Sequence, residues 1–350
     1  MPIVNEDVVK KDISSSDFSR VYLIYGDDLY LKKYYCDGIS DKAYGGDPLF
    51  NLQKFECEVN LQDVYDAVNQ FPMMADSKCV VLTDYDFEYC SESEFNMLCE
   101  LIKNVDDGCV FVLRFEAIDF DTKKSERAKR LFDSTDSCGG KVVCLNHKDT
   151  ASLVRMLING ASKRGCTLSD SDARYFVENV GDDLSVLKSE LDKLCNYVDN
   201  GKITKEIIDK VAVKSTESTV YEYVQEILKG NISSALKMLD DLFYMRVEPM
   251  IILYTTSAAY VDMYRVYASK KANAPIETVA NDFGYQKKFF VLEKAKRNLN
   301  KVDFKKIVLS FDALLAADEH LKNFGYDPRT VLEGLTVKLV YIIVKGESID

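Results

Sequence analysis

The loop of residues 26–33 is where residue types and spacing come closest to phosphate-binding chemistry. Such loops need G-x-x-x-x-G-K-[ST]: the glycines let the backbone approach the phosphates, the lysine neutralises them and the hydroxyl binds magnesium. The corresponding residues here are Gly26, Asp27, Asp28, Leu29, Tyr30, Leu31, Lys32 and Lys33. Leu31 replaces the second glycine, Lys33 replaces the hydroxyl, and the two acids would repel a phosphate about 4 Å away by roughly 1–4 kcal/mol. We therefore predict a degenerate loop without bound nucleotide; the alternative is that Gly26 simply ends a strand.

Other patterns that could support catalysis or metal binding are sparse. The third strand candidate ends in Asp84 without a second acid to manage magnesium and water. Cys144 and His147 form a single C-x-x-H, whereas tetrahedral zinc needs four clustered ligands. His320 is the other histidine of the chain, and neither histidine belongs to a recognisable Ser/His/Asp or Cys/His arrangement. We predict no catalytic residue, no metal and no cofactor.

Strands and helices alternate along the first ~145 residues, which determines where the loop lies. The strand candidates are short apolar runs at 21–25, 52–55, 79–82, 109–113 and 141–145. The helix candidates between them lie at 29–39, 61–70, 95–105 and 124–132. Continuous apolar strands separated by helices imply a parallel sheet covered on both faces. In such a sheet phosphates bind at the first strand-to-helix turn, which here is the loop of residues 26–33.

Beyond residue 146 the strand signal disappears and only helical periodicity remains. The first helices are predicted at 150–163, from Ser169 to Gly181, at 184–198, and from Thr204 to residue 213. A polar linker at 214–218 then leads into a longer helical region. These patterns predict three domains: an α/β domain (1–146), a small helical domain (147–213) and a helical domain (214–350).

Composition limits the class of protein further. The net charge is −12, and residues 1–213 carry 26 Lys and Arg against 39 Asp and Glu, while residues 214–350 carry 19 against 18. A protein that coats nucleic acid would be basic throughout, so any DNA contact must be local. The sequence shows neither a signal-peptide core nor an apolar run of about 18 residues. We expect a soluble cytoplasmic protein with reduced cysteines and no membrane association.

A second feature is the run Phe71, Pro72, Met73 and Met74, which follows the helix of residues 61–70 and which we call the apolar turn. Pro72 disfavours helical geometry at the preceding residue and cannot donate a backbone hydrogen bond, so it ends the helix. Methionine side chains are deformable and suit a pocket on a partner. The apolar turn is either a protruding apolar wedge or ordinary core that covers the end of the sheet.

Taken together, these features resemble the delta subunit family of the bacterial DNA polymerase III clamp loader, over nearly the whole chain. The segments that carry the resemblance are 21–28, 70–82, 181–194, 248–249 and 317–328. The most specific is 181–194, GDDLSVLKSELDKL, which is similar to the family's Gly-x-Asp-Leu…Glu-Leu-x-Lys-Leu stretch. The order and spacing of these segments make the resemblance strong.

The resemblance implies an AAA+-like parallel-sheet domain without a working phosphate loop, a small helical lid and a helical collar. It also implies that the subunit opens the ring-shaped sliding clamp (beta) for loading on primed DNA, alongside delta-prime and ATP-hydrolysing subunits in a hetero-pentamer. Phe71, Met73 and Met74 would insert into an apolar pocket of the clamp, although the family often has Leu and Phe where this chain has Met73 and Met74. The chain would be a polymerase holoenzyme component without catalysis of its own.

A basic stretch at residues 287–306 carries eight Lys and Arg against only Glu293 and Asp303. Flexible cations contact phosphates and aromatic rings stack on bases. Because the family's collar surrounds primer–template DNA, the resemblance implies a weak contact without sequence specificity. The candidate residues are Lys287, Lys288, Lys294, Lys296, Arg297, Lys301 and Phe324. The alternative is a solvated helix face with Phe289 or Phe290 in the core.

Two other functions remain open at this point. The first is a degenerate AAA+ adaptor of another replication or repair assembly, which co-purification with a sliding clamp would exclude. The second is a P-loop-like ATPase or nucleotide kinase, which tight ATP binding by the isolated chain would favour. Asp27 and Asp28 argue against the second function because they place negative charge where a phosphate must lie.

Overall fold

The computed structural model describes residues 3–285, 289–300, 302–323 and 325–348. Its contacts divide the chain into two compact units, Met1–His147 and Lys148–Asp350. The further division at residue 213 into a lid and a collar remains a prediction. Among the helices of the described residues, none is both long and apolar enough to cross a membrane.

The first unit alternates strands and helices. Its strands are β1 (Val21–Tyr25), β2 (Leu52–Glu56), β3 (Lys78–Thr83), β4 (Cys109–Arg114) and β5 (Lys141–Cys144). Its helices are α1 (Glu6–Ser15), α2 (Leu29–Ser40), α3 (Pro48–Asn51), α4 (Leu61–Asn69), α5 (Glu92–Lys103) and α6 (Glu126–Ser137). The sequence patterns predict all of these elements except α1 and α3. Helix α3 is a single turn, which is too short to show a helical period.

The five strands form one parallel sheet in the order β2-β3-β4-β1-β5. Strands β3 and β4 are buried along their whole length, as continuous apolar strands between two layers of helices should be. One side of the sheet packs against apolar residues of α4, α5 and α6, among them Val64, Phe95 and Leu131. All strands run in the same direction, so the segments that follow β1, β3 and β4 meet at one edge of the sheet.

The second unit is almost entirely helical. Its helices from the start to residue 244 are α7 (Thr150–Lys163), α8 (Asp170–Val180), α9 (Leu184–Val198), α10 (Lys205–Val211), α11 (Thr216–Leu228) and α12 (Ile232–Tyr244). The remaining helices are α13 (Pro249–Lys271), α14 (Ile276–Asp282), α15 (Phe289–Leu299), α16 (Phe304–Lys322) and α17 (Pro328–Lys345). Helices α11–α17 share a core to which Tyr223, Leu239 and Tyr260 contribute fully buried side chains.

Two expectations for the second unit are wrong. Strands do occur beyond residue 146: β6 (Thr167–Leu168) pairs in parallel with β7 (Lys202–Ile203), and two residues are too few to show an alternating pattern. Residues 214–218 are also not a polar linker, because Ser215 caps α11 by accepting a hydrogen bond from the Ser218 N–H. The polar residues of this segment begin a helix, which is a common use of serine and threonine.

Candidate functional site

Gly26 ends β1 at the sheet edge where a nucleotide would lie. Its φ of +127° is strained for any residue with a side chain, and a Cβ placed there would lie 2.3 Å from the Leu145 carbonyl oxygen. The chain then turns tightly against the end of β5: the Asp28 N–H donates to the Leu145 oxygen at 3.0 Å. The Asp27 N–H donates to Asn146 Oδ1 at 3.2 Å, and the Asp27 side chain is exposed. Gly26 is therefore required by the backbone path, whether or not a phosphate is ever bound.

Asp28 fills the N-terminal end of α2. It is the N-cap residue, and its buried carboxylate accepts a hydrogen bond from the Leu31 N–H at 2.9 Å. His147 Nδ1 lies 3.5 Å from the other carboxylate oxygen. A helix N-terminus attracts anions because its first N–H groups lack intrahelical partners. Here the protein's own carboxylate is the anion at the N-terminus of α2.

Lys32, which stands at the lysine position of the phosphate-loop pattern, is also engaged within the protein. Its side chain is buried, and its Nζ donates to the Glu116 carbonyl oxygen at 3.1 Å. Burial lowers the pKa of this lysine because the charged form loses hydration. Leu31 is part of the buried core, whereas Lys33 is exposed. The lysine of the pattern therefore points into the protein.

The carboxylate of Asp84, directly after β3, is also hydrogen-bonded within the protein. Its backbone is left-handed (φ 50°), and its carboxylate accepts the backbone N–H groups of Glu116, Ala117 and Ile118 at 2.6–3.4 Å. The acid that could have assisted magnesium instead anchors the segment after β4. Over the described part of the chain, no three His, Cys, Asp or Glu side chains are grouped so that they could hold a metal ion, and Cys144 and His147 gain no further ligands.

The apolar turn lies between α4 and β3, and its side chains are exposed. The exposed fractions are 86% for Phe71, 51% for Met73 and 100% for Met74. Ordinary core residues would be nearly inaccessible, so this exposure speaks for a protruding wedge. Solvent-exposed apolar side chains at this density are typical of interaction sites.

Two buried polar side chains, those of Asn51 and Lys78, hold the backbone of the apolar turn and of the helix end directly before it. Asn51 of α3 accepts the Met73 N–H at 2.7 Å and donates to the Met73 carbonyl oxygen at 2.9 Å. Lys78 donates to the carbonyl oxygens of Ala67 and Gln70 at the end of α4, directly before the apolar turn, where the last carbonyl groups of a helix lack intrahelical partners. Burial lowers the pKa of Lys78 as well. The backbone of the apolar turn is thus held in place in the free chain, which would lower the entropy lost if a partner bound it.

Sequence reasoning missed three residues at this site, namely Leu49, Phe50 and Asn51. Leu49 and Phe50 are 78% and 51% exposed, and Asn51 joins α3 to the apolar turn. A signal for α3 was present: Asp47 is followed by Pro48, and an acidic N-cap before a first-turn proline is typical of a helix start. The bond from Asn51 to Met73 spans 22 residues, so no local pattern could indicate it.

The basic stretch is only partly available for DNA. Lys294 of α15 lies 3.7 Å from a Glu178 carboxylate oxygen and sits over the rings of Tyr221 and Phe290. Burial lowers its pKa, and these contacts make it a poor phosphate ligand. Lys296 and Arg297 are exposed on the last turn of α15. Lys287, Lys288, Lys301 and Phe324 lie outside the described residues.

Two family models match this chain. The model described as DNA polymerase III, delta subunit matches residues 22–137, and the model described as DNA polymerase III delta subunit, C-terminal domain matches residues 217–339. The chain belongs to the DNA polymerase III delta subunit family. The matched segments include both the degenerate loop and the apolar turn, so both are features of a family member.

Two relatives and one solved structure extend over more of the chain. The probable DNA polymerase III subunit delta of Aquifex aeolicus (strain VF5) is 24% identical over 340 residues, which cover 94% of each chain. DNA polymerase III subunit delta of Bacillus subtilis (strain 168) is 24% identical over 260 residues, or 70% of this chain and 72% of the relative. The structure described as Bacillus subtilis DNA clamp loader delta protein is 19% identical, covers 95% of this chain and 99% of that chain, and has a TM-score of 0.60. This last likeness confirms the predicted fold class, a parallel-sheet α/β domain combined with helical regions.

Proposed function

We propose that this chain is the delta subunit of a clamp loader: it binds the ring-shaped sliding clamp and opens it for loading on primed DNA. The observation that carries the proposal is the apolar turn, in which Phe71, Met73 and Met74 are exposed. Asn51 fixes the Met73 backbone, and Lys78 holds the helix end directly before the turn. Such a rigid apolar group fits a pocket on a partner. The proposed setting is the cytoplasm, where the DNA polymerase III holoenzyme replicates the chromosome.

Clamp opening follows from differential binding. Full burial of Met73 and Met74 in an apolar pocket would contribute about 3–6 kcal/mol. A ligand shifts an equilibrium between two states only by its difference in affinity for them. The wedge therefore opens the clamp if its pocket is better formed in the open ring than in the closed ring. Methionine suits this task because its flexible side chain adapts to a pocket that changes shape.

We also propose that this subunit neither binds nor hydrolyses ATP and has no catalytic residue. Three internal contacts support this: Asp28 occupies the N-terminus of α2, Lys32 binds the Glu116 carbonyl oxygen, and Asp84 binds backbone N–H groups. The energy of ATP would come from neighbouring subunits in a hetero-pentamer that also contains delta-prime. The chain would then belong to the DNA polymerase only as a subunit of its holoenzyme, without polymerase activity of its own.

The test is a pull-down of the purified full-length chain with the sliding clamp of the same organism, with and without ATP. We expect equal capture of the clamp under both conditions, because the proposed contact does not involve the nucleotide edge. An ATP titration of the chain alone, followed by calorimetry, is the companion measurement and should give no binding heat. Capture that requires ATP, or tight ATP binding, would favour an ATPase; no capture at all would favour another AAA+-type adaptor.

A weak, sequence-independent contact with primer–template DNA is the second part of the proposal. Lys296→Glu combined with Arg297→Glu is expected to weaken DNA binding by the assembled loader. The slope of log K against log salt concentration should fall in magnitude by about 1–2, since each phosphate contact contributes about 0.7–0.9. Fluorescence anisotropy at several salt concentrations measures both quantities.

The matched control is Lys270→Glu with Lys271→Glu, a pair of exposed cations in the last turn of α13. It makes the same change in net charge and the same unfavourable change at a helix C-terminus. This control should leave the salt slope unchanged. Equal slopes for wild type, the α15 variant and the α13 variant would remove Lys296 and Arg297 from the DNA contact.

A further inference from the structure

We propose that α3 forms the second half of the clamp-contacting surface, so that Leu49 and Phe50 contact the same partner as the apolar turn. This inference rests on the proposed function and extends it to residues outside the apolar turn. It makes the contact a two-segment surface with one fixed geometry. We call Leu49, Phe50, Phe71, Met73 and Met74 together the wedge surface.

The two segments are joined by the side chain of Asn51. The side-chain amide of Asn51 exchanges two hydrogen bonds with the Met73 backbone, at 2.7 and 2.9 Å, and donates a third to the Gly45 carbonyl oxygen at 2.9 Å. The neighbouring loop also lies against the apolar turn: a Cβ at Gly46 would lie 3.5 Å from the Met74 carbonyl oxygen. A partner that covers Met73 and Met74 therefore approaches a surface to which α3 is attached.

Helix α3 exposes two large apolar side chains although its own start is well capped. The Leu49 N–H donates to the Asp47 side chain at 2.9 Å, and Pro48 occupies the first turn. Leu49 and Phe50 are 78% and 51% exposed, and neither belongs to the core cluster between the sheet and α4–α6. Their exposed surface is available to a partner, and exposed Asp47 and Asp76 place charges near the two segments. Apolar side chains with charged residues at the rim are the usual anatomy of a protein interface.

The area of the apolar turn indicates which partner covers α3. A stable protein–protein interface covers about 800 Å² on each partner. The three apolar side chains of the turn expose at most about 200 Å² each, so they cannot supply that area alone. The contact must extend beyond the turn, and α3 is the apolar surface bonded to it. The sliding clamp is therefore the expected occupant of α3.

The experiment compares binding of the sliding clamp by full-length variants, measured by biolayer interferometry with the clamp immobilised. Leu49→Ser with Phe50→Ser is expected to weaken binding at least about 10-fold, since two large apolar side chains leave the interface. The turn variant, Phe71→Ser with Met74→Ser, should weaken it at least as much. The matched control, Leu29→Ser with Tyr89→Ser, removes two exposed apolar side chains elsewhere in the first unit and should bind like wild type. Melting curves establish that all variants are folded.

A fourth variant tests the connection between the segments. Asn51→Ala is expected to weaken clamp binding about 5- to 10-fold, as loss of a buried hydrogen-bonding partner would. In the free chain it should also speed hydrogen exchange at the Met73 amide, which Asn51 protects. Slower exchange or unchanged exchange at Met73 would contradict the positioning role of Asn51.

The outcomes separate this inference from the proposed function. If the turn variant loses clamp binding and the α3 variant keeps wild-type affinity, the inference is overturned and the proposed function stands. If the α3 variant keeps its affinity for the clamp but fails to assemble with the other loader subunits, α3 belongs to a different interface, and the inference is again overturned. If the wild-type chain does not bind the clamp, both are overturned.

Discussion

Replacing Met73 and Met74 with aspartate is expected to lower the affinity of the chain for its sliding clamp by at least about 100-fold. The double substitution removes the two apolar groups whose burial would contribute about 3–6 kcal/mol, and it forces two carboxylates to lose water in an apolar pocket. Each pKd unit lost corresponds to about 1.4 kcal/mol, so a 100-fold loss is a conservative expectation. Titration calorimetry or biolayer interferometry with the purified clamp gives the affinity.

The same substitution should leave the fold intact. Met74 is fully exposed, and its φ of 53° is a conformation that aspartate adopts more readily than most residues. The two hydrogen bonds between Met73 and Asn51 involve the Met73 backbone, so they survive a change of side chain. We expect a melting temperature within about 2 °C of wild type, because surface substitutions usually change stability by less than about 0.5 kcal/mol.

A conservative variant provides the matched control. Met73→Leu with Met74→Leu keeps both side chains apolar and should retain most of the clamp affinity. If the aspartate variant binds as well as wild type, the apolar turn is not the clamp contact. If the leucine variant loses as much affinity as the aspartate variant, side-chain shape rather than apolar burial governs the contact.

Gly26→Ala is the second substitution with a large expected effect, in this case on stability. The new Cβ would lie 2.3 Å from the Leu145 carbonyl oxygen and 2.6 Å from its carbonyl carbon, at a φ of +127°. Both atoms belong to the backbone at the end of β5 and cannot move without disturbing the sheet. Backbone strain of this kind costs about 1–3 kcal/mol, and the overlap with packed neighbours adds a similar amount. We expect the free energy of unfolding to fall by about 3–5 kcal/mol.

Urea denaturation followed by circular dichroism measures this change. Gly139→Ala is the matched control because Gly139 also has a positive φ, +74°, while nothing lies within 4 Å of the added Cβ. It should cost only about 1 kcal/mol, which is the price of the left-handed conformation alone. If both variants lose a similar free energy of unfolding, the backbone around Leu145 moves to accommodate the added Cβ. The short distance to Leu145 would then not be the reason for glycine at position 26.

Much of the fold could be predicted from the sequence because it depends on local patterns. Strand β1 and helices α7 and α9 have the predicted bounds, since their apolar periodicity is complete within each element. The apolar turn could be placed because Pro72 ends the preceding helix, but its exposure could not be decided. Exposure depends on what packs against a segment, and α3 does not cover these side chains but extends the apolar surface beside them.

The parts of the site that could not be predicted depend on contacts between distant residues. Lys294 looks like a free cation in the sequence, yet its partner Glu178 lies in another helix more than a hundred residues earlier. The hydrogen bonds from the segment after β4 to Asp84 span 32–34 residues, and the bond from Lys32 to Glu116 spans 84. The departure from the phosphate-loop pattern is visible in the sequence, and the absence of bound nucleotide stays a prediction. The sequence could not indicate the closed network of internal hydrogen bonds that Asp28, Lys32 and Asp84 make.

That closed network has a consequence for the evolution of the chain. Under the proposed function, a single substitution that restored one phosphate-loop residue is expected to gain no nucleotide affinity, because Asp28 still caps α2 and Lys32 still points inward. Removing Asp84 to clear the edge would leave three backbone N–H groups without their acceptor, each at a cost of about 1–3 kcal/mol. If the chain binds no ATP, as we propose, these internal contacts oppose a return of nucleotide binding by single substitutions. Under the proposed function, the subunit would then stay dependent on partners that bind ATP.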